Sequence, residues 1–189
     1  MEPTDAIGSI EEDHKERSRL NAAVAVVVAI LATFMGICNV KDGNIVQAMQ
    51  QAQADKVDHW AWYQARKIRV DMGRATLATV ETLPSPNKKT ISFYKEFVAK
   101  EEGKLKETQQ LADKDQKTYD DFNFHDDQFD LAESSLAIAI SLMAVTSLTQ
   151  KRWLFLIALV PTFFGLLMGL AGLFNWGIHP NALAKFLGT

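Results

Sequence analysis

The stretch Leu83-Pro84-Ser85-Pro86-Asn87-Lys88-Lys89 marks the break in a long polar run, residues 41–130, and the two arms, residues 41–83 and 89–131, have 43 residues each. Helix is disfavoured here because proline lacks an amide hydrogen and restricts the residue before it. Both arms are otherwise rich in helix-favouring residues, with Gly73 and Gly103 as local weak points. A chain that turns at the prolines returns both arm ends to one level. The sequence therefore predicts a long antiparallel helical hairpin with its turn near residues 83–89.

Spacings of three and four residues predict the face along which each arm meets the other. In the first arm these positions are Val46, Met49, Gln53, Val57, Trp60, Gln64, Ile68, Asp71, Ala75 and Ala78. In the second arm they are Tyr94, Val98, Glu101, Leu105, Thr108, Ala112, Asp115, Tyr119, Phe122, Asp126 and Phe129. Several are polar, so we expect a weak seam rather than an ideal coiled coil. The equal arm lengths pair Ile68 with Leu105 and Trp62 with Leu111.

Three apolar runs flank the polar run: residues 20–40 precede it, and residues 131–148 and 153–176 follow it. Glu133 is the single acid in these runs, which contain no Lys or Arg. A charge in hydrocarbon costs at least a few kcal/mol, so this segregation is typical of a membrane protein. We expect an all-α membrane protein with three transmembrane helices and the hairpin between the first and second.

The remaining segments are expected to connect or extend these elements. Residues 1–19 are predicted to be a flexible polar tail, and residues 177–189 a tail with a short surface helix. Asp42-Gly43-Asn44 is interpreted as a joint between the first span and the first arm, because Gly weakens helices and Asp or Asn can cap them. Residues 149–152 form a polar link between the second and third spans.

The distribution of basic residues predicts the orientation. The amino tail and the link carry five bases near the spans, namely Lys15, Arg17, Arg19, Lys151 and Arg152, whereas the carboxyl tail carries only Lys185. Because Lys and Arg are enriched in cytoplasmic segments, the amino end and the link are expected in the cytoplasm. The hairpin would then be periplasmic, with the spans in a bacterial inner membrane.

Small residues in the spans indicate candidate helix-packing faces. In the first span these are Ala25, Ala29 and Gly36, which recur at helical spacing. In the third span Gly165, Gly169 and Gly172 form an extended small-residue pattern. A chance pattern on a lipid-facing surface is the alternative for both faces.

Polar residues at the span ends allow two interpretations. Glu133, Asn39 and Asn175 are candidate pore or interfacial residues. Glu133 would reach lipid headgroups or water in a single chain, whereas several subunits would bring it into a ring of carboxylates at a pore mouth. Asn39 and Asn175 would form hydrogen bonds at helix ends or line the same pore.

An aromatic cluster in the first arm provides a candidate subunit contact. Trp60 and Trp62 lie two positions apart, so they point to different sides of a helix, and Tyr63 follows them. One tryptophan can serve the hairpin while the other meets a neighbouring subunit. A local core cluster is the alternative.

Several function classes find no support in the sequence. The net charge is -3 without a basic stripe, which argues against nucleic acid as a partner. Cys38 is the single cysteine, so no intrachain disulfide can form. His125-Asp126-Asp127 lacks the spacing of a regular zinc site. We also find no convincing combination of nucleophile, base and orienting acid, and therefore predict no enzyme activity and no cofactor.

Residues 39–55 (NVKDGNIVQAMQQAQAD), 63–69 (YQARKIR) and 31–35 (LATFM) resemble a bacterial membrane family catalogued as a domain of unknown function. The resemblance extends over most of the chain. It implies a bacterial origin and three spans, but no particular activity or catalytic residues. The leading hypothesis is a homo-oligomeric, membrane-anchored scaffold or interaction protein with membrane lipid as a partner. The alternative is a channel or transport component with a pore between subunits.

Overall fold

The computed structural model describes residues 3–178, with side chains from residue 15 onward, and every regular element among them is a helix. Helix α1 (Pro3–Glu81) has 79 residues, α2 (Lys88–Thr149) has 62 and α3 (Arg152–Leu173) has 22. Each of the three contains a segment long and apolar enough to cross a membrane. The proline-containing segment lies between α1 and α2, and Asn87 caps α2 by accepting a hydrogen bond from the Lys89 amide at 3.0 Å.

Helix α1 corrects two expectations about the ends of the first span. It passes through Asp42-Gly43-Asn44 without interruption, so the predicted joint is wrong, and it begins at Pro3, so residues 3–19 are helical rather than a flexible tail. A single Gly costs about 1 kcal/mol in a helix interior, which a long cooperative helix on both sides tolerates. Of the surface helix predicted for residues 177–189, residues 177 and 178 are not helical, and the rest lie outside the described residues.

The chain forms two compact units. The first, called the apolar unit, comprises the described parts of Met1–Val46 and Asn123–Thr189. Its described part contains small clusters of buried residues that join the helices: Val24, Met143 and Ala158 of all three helices; Leu31, Leu136 and Ala139 of α1 and α2; and Leu131, Ala132 and Met168 of α2 and α3. Because all three helices contribute, the packing of each depends on the others.

The link between α2 and α3 is fixed within the apolar unit by polar contacts with α1. The Asn21 side-chain oxygen accepts hydrogen bonds from Gln150 at 2.9 Å and from Ser147 at 3.1 Å. Arg152 at the start of α3 forms an ion pair with Glu16. Gln150 itself adopts a left-handed conformation with φ 56°, which helps the chain reverse between the two helices.

The second unit, Gln47–Phe122, is called the hairpin unit. Its antiparallel arms are joined by a polar seam in which Lys56 contacts Gln116, His59 lies 2.5 Å from Asp115, Arg66 contacts Glu101, Arg74 contacts Glu102 and Lys95 contacts Glu81. Small apolar residues, Ala52, Val70, Val98 and Ala112, are buried in the same seam. Cross-arm polar pairs therefore accompany small buried apolar side chains along the seam of the hairpin.

The observed seam corrects the predicted face of the first arm. Val57, Ile68 and Ala75 were expected to face the second arm but are exposed, as is Trp62. The predicted pairs, Ile68 with Leu105 and Trp62 with Leu111, thus lie at about the right level along the hairpin. Ile68 and Trp62 nevertheless point away from the second arm.

The predicted face of the second arm is confirmed, because all of its positions, among them Glu101 and Asp115, are buried or half-buried. The first arm instead turns Lys56, His59 and Arg66 to the seam, and these polar residues lie outside the pattern from which its face was predicted.

Candidate functional site

The glycines of α3 lie where this helix approaches its neighbours in the apolar unit. A Cβ placed on Gly165 would lie 2.8 Å from Leu136 Cγ and 3.1 Å from the Ala132 carbonyl oxygen. At Gly169 it would meet Phe34 and Cys38, and at Gly172 it would meet Phe129. All three glycines are buried. This face of α3 therefore admits α1 and α2 at distances that a larger residue would not allow.

The small-residue face of the first span has a different environment. Ala25, Ala29 and Gly36 are exposed in the single chain, and a Cβ on Gly36 would meet nothing within 4 Å. Helix α1 packs through Val24, Leu31 and Cys38 instead. The outward side bears an apolar groove of about 400 Å³ lined by Ala29, Ile30, Thr33, Phe34 and Ile37. Contact of this face with a helix of another subunit stays a prediction.

Carboxyl groups of α1 and α2 converge in the apolar unit. The side chains of Asp42 and Asp126 share a hydrogen bond, and Asp130 and Glu133 act electrostatically on Asp42. Burial raises the pKa of Asp42 to about 7, with a further contribution from the Asp126 charge. Burial also raises the pKa of Asp126 and Asp130. A hydrogen bond between two carboxyl groups requires that one of the two holds a proton, which agrees with the raised pKa of this pair.

The amide of Gln128 connects α2 to the segment after α3. Gln128 is fully buried, and its Nε2 donates to the carbonyl oxygens of Trp176 at 2.8 Å and Ile178 at 2.6 Å. Its Oε1 lies 3.0 Å from Nδ1 of His125, which is placed to donate to it. Both ends of the amide are thus bonded, as a buried polar group requires.

The three candidate pore or interfacial residues have separate surroundings in the single chain. Glu133 and Asn39 are exposed on α2 and α1. Asn175 follows α3 in a left-handed conformation with φ 54°, and the next amide, of Trp176, donates to the Ala171 carbonyl at 2.8 Å. This is the geometry of a helix C-terminal cap, in which Asn is a common substitute for Gly. Asn175 therefore has a backbone role at a helix end.

The aromatic residues of the first arm differ in exposure. Trp60 and Tyr63 are half-buried and contact each other edge to face, with ring centroids 5.2 Å apart. Trp62 is 57% exposed, and its ring packs edge to face with that of His59, with ring centroids 5.4 Å apart. His59 in turn contacts Asp115 of the second arm. Trp62 therefore packs against a histidine of the seam while most of its indole is exposed. Its part in a subunit contact stays a prediction.

The family model for DUF4337, a domain of unknown function, matches residues 20–175. The chain belongs to the DUF4337 family. The matched region includes the converging carboxyl groups, the α3 glycines and the whole hairpin unit of this DUF4337 chain. Comparison with curated proteins and with solved structures finds no match.

Sequence reasoning missed two polar features of the DUF4337 chain. Asp42 was interpreted as part of a joint, and Gln128 was not identified, although both lie next to apolar runs where a polar side chain needs a partner. That proximity was the available signal. Among the described residues, no group of three His, Cys, Asp or Glu side chains is arranged to hold a metal ion.

Proposed function

We propose that this DUF4337 chain is a homo-oligomeric protein of a bacterial inner membrane that serves as a helical scaffold or interaction protein. Three apolar helical segments support membrane insertion, because each satisfies its backbone hydrogen bonds internally. Membrane lipid is the first partner. The chain has its amino end and its α2–α3 link in the cytoplasm, with residues 41–130 on the periplasmic side.

The observation that carries the oligomeric proposal is the exposure of large apolar side chains in the hairpin unit. Val57, Trp62, Ile68, Met72 and Phe93 are each more than half exposed. A polar seam holds the two arms together, so these side chains contribute little to the fold of one chain. Packing against other subunits would remove them from water, at about 25 cal/mol per Å² of apolar surface.

Mass measurement of the purified full chain tests this proposal. The chain, extracted in mild detergent and placed in lipid nanodiscs, is expected to give a defined oligomer by light scattering and native mass spectrometry. A uniform monomer in both environments contradicts the proposal.

Orientation is tested separately by labelling from outside intact cells. A cysteine introduced as Lys89→Cys at the exposed start of α2 is expected to react with a membrane-impermeant maleimide, whereas Lys151→Cys in the link reacts only after cell lysis. The parent chain with its buried Cys38 gives the background. The reverse pattern would place the hairpin in the cytoplasm.

A channel or transport component is the second candidate, and the converging carboxyl groups favour it. An oligomer that presents Asp42, Asp126, Asp130 and Glu133 of each copy towards one axis would concentrate negative charge at a pore mouth and attract cations. Cation flux into liposomes containing the oligomer is expected under this alternative, with a several-fold decrease for Glu133→Gln. Vesicles that contain folded oligomer but show no flux would eliminate it.

A further inference from the structure

The outer side of α1 in the hairpin unit has an apolar repeat that is separate from the seam. Going along the helix from residue 54 in alternating steps of four and three residues reaches eight positions, all of them exposed. Six of the eight are apolar: Ala54, Ala61, Ala65, Ile68, Met72 and Ala75. We call these eight positions the outer stripe. Alternation of four and three is the spacing of the contact positions in a coiled coil.

The large exposed side chains of this arm concentrate at the outer stripe. Ile68 and Met72 belong to it and are 59% and 65% exposed, while Val57 and Trp62 lie on its two edges. The outer face of α2 has an exposed Phe93 near its start but is charged along the rest of its length, with exposed Lys100, Glu107, Lys114 and Lys117. The hairpin unit thus has one apolar outer helix face, on α1.

We propose that the outer stripe packs against the outer stripe of a second copy, as a parallel, in-register coiled coil. This inference rests on the proposed homo-oligomeric membrane function. Two copies inserted in one membrane with the same orientation have parallel first arms, so each stripe position meets its own counterpart. The occupant is therefore a second copy of this chain.

The residues on the edges of the outer stripe are complementary in the parallel arrangement. In such a pair, a residue that precedes a stripe position reached by a step of four lies near the residue five positions further on in the partner helix. This rule brings Val57 to the partner's Trp62, an apolar pair, and Gln64 to the partner's Arg69, a hydrogen-bonding pair. Neither of these pairs opposes like charges. A groove of about 240 Å³ lined by Trp62, Ala65, Arg66 and Arg69 lies at the same edge and offers room for the approaching Val57.

The length of the outer stripe favours a partner that is already nearby. Between Ala54 and Ala75 the helix rises ~32 Å, and a contact ~10 Å wide along it covers roughly 300 Å² per copy. Stable complexes between free proteins bury about 800 Å² per partner. A second copy in the same membrane can pair through a smaller buried area, because anchoring in the membrane raises the effective concentration of the two copies. A soluble partner would lack this advantage.

One polar position, Asp58, weakens the pairing of outer stripes and can be replaced to test it. Asp58 occupies a stripe position, so two copies in register oppose two carboxylates there. Like charges at a shared contact are unfavourable. Asp58→Leu is therefore expected to strengthen the pairing between the two copies. The Asp58 side chain is exposed in the single chain, so a change in the hairpin itself would not explain stronger pairing.

Disulfide trapping of the full chain in nanodiscs or liposomes tests the inference. Ala61→Cys and Ile68→Cys, made singly, are expected to give disulfide-linked dimers at least tenfold more abundantly than Lys114→Cys on the outer face of α2. The parent chain, whose only cysteine is the buried Cys38, provides the baseline. Addition of Ile68→Asp is expected to lower trapping at position 61 about tenfold, and addition of Asp58→Leu to raise it.

The outcomes separate this inference from the proposed function. A defined oligomer without trapping at positions 61 and 68 overturns the outer-stripe pairing but leaves the oligomeric proposal intact. A monomer overturns both. Equal trapping at positions 61, 68 and 114 indicates random collision and also overturns the pairing, and helical content measured by circular dichroism verifies that each variant is folded.

Discussion

At the scale of single residues, the space available to one methyl group distinguishes two glycines of the apolar unit. Gly165→Ala would place its Cβ 2.8 Å from Cγ of the fully buried Leu136 and close to a backbone oxygen. We expect a loss of stability of about 1–3 kcal/mol from this overpacking. The matched control is Gly36→Ala, where the new methyl group meets nothing. Thermal unfolding in detergent should show a lower midpoint for Gly165→Ala alone; equal midpoints would contradict the packing described for α3.

Two neighbouring glutamates of α2 differ in the same way at the residue scale. Glu101 is buried, with Arg66 at 3.4 Å and Lys104 at 3.6 Å, whereas Glu102 pairs with Arg74 at a more exposed position. Removing a buried charge leaves its partners uncompensated, while exposed pairs contribute about 0–1 kcal/mol. Glu101→Gln is therefore expected to destabilise the chain by about 1–3 kcal/mol and Glu102→Gln by less than about 1 kcal/mol. Calorimetry measures the loss of stability in both variants. A larger loss for Glu102→Gln than for Glu101→Gln would contradict the described seam.

At the scale of elements, the continuity of α1 gives the next prediction. Gly43 lies in the helix interior, and a Cβ there would meet nothing within 4 Å. Gly43→Ala should therefore stabilise the chain by about 0.5–1 kcal/mol through helix propensity alone. At Gly73 the added Cβ would lie 2.9 Å from Val98 Cγ2, so Gly73→Ala should destabilise it. Chemical denaturation measures both changes, and destabilisation by Gly43→Ala would restore the interpretation of residues 42–44 as a joint.

The two arms also illustrate how much of an element can be predicted from sequence. The register was predicted to within a few residues, because the prolines fix the turn and equal arms fix the rest; His59 and Arg66 meet Asp115 and Glu101 at about the expected levels. The face of the second arm was predicted correctly, because all of its predicted seam positions are buried or half-buried, whereas seven of the ten predicted positions of the first arm are exposed. Val57 and Ile68 are apolar whether they meet the other arm or another subunit, so periodicity alone cannot assign their partner.

At the scale of the whole molecule, the converging carboxyl groups predict a pH dependence. The pKa of Asp42 is raised to about 7 in the folded chain, above the value of about 4 expected when it is unfolded. Between these values the folded chain holds more protons than the unfolded chain, so stability falls as pH rises from about 4 through 7. The raised pKa values of Asp126 and Asp130 act in the same direction.

Asp42→Asn tests this expectation because it keeps the size of the side chain and mimics its protonated form. Asp42 is only partly buried, so solvent screening reduces the effect to about 1–2 kcal/mol. The variant should be more stable than the parent at pH 8 and equal to it only below about pH 4, where Asp42 is protonated in both states, as measured by thermal unfolding in detergent. Asp113→Asn, on an exposed part of α2, is the control. A parent chain whose stability increases with pH over this range would contradict the assignment.

The sequence by itself determined the three apolar segments, the two equal arms and the position of the turn. These follow from local properties: hydropathy over a run, helix propensity and the covalent restriction at Pro84 and Pro86. Only the tertiary structure decided that α1 continues through Gly43, that Asp42 meets Asp126 and that polar pairs fill the hairpin seam. Each of these depends on which distant residues become neighbours, because the free energy of a buried charge or an added methyl group is set by surroundings that the linear sequence does not specify.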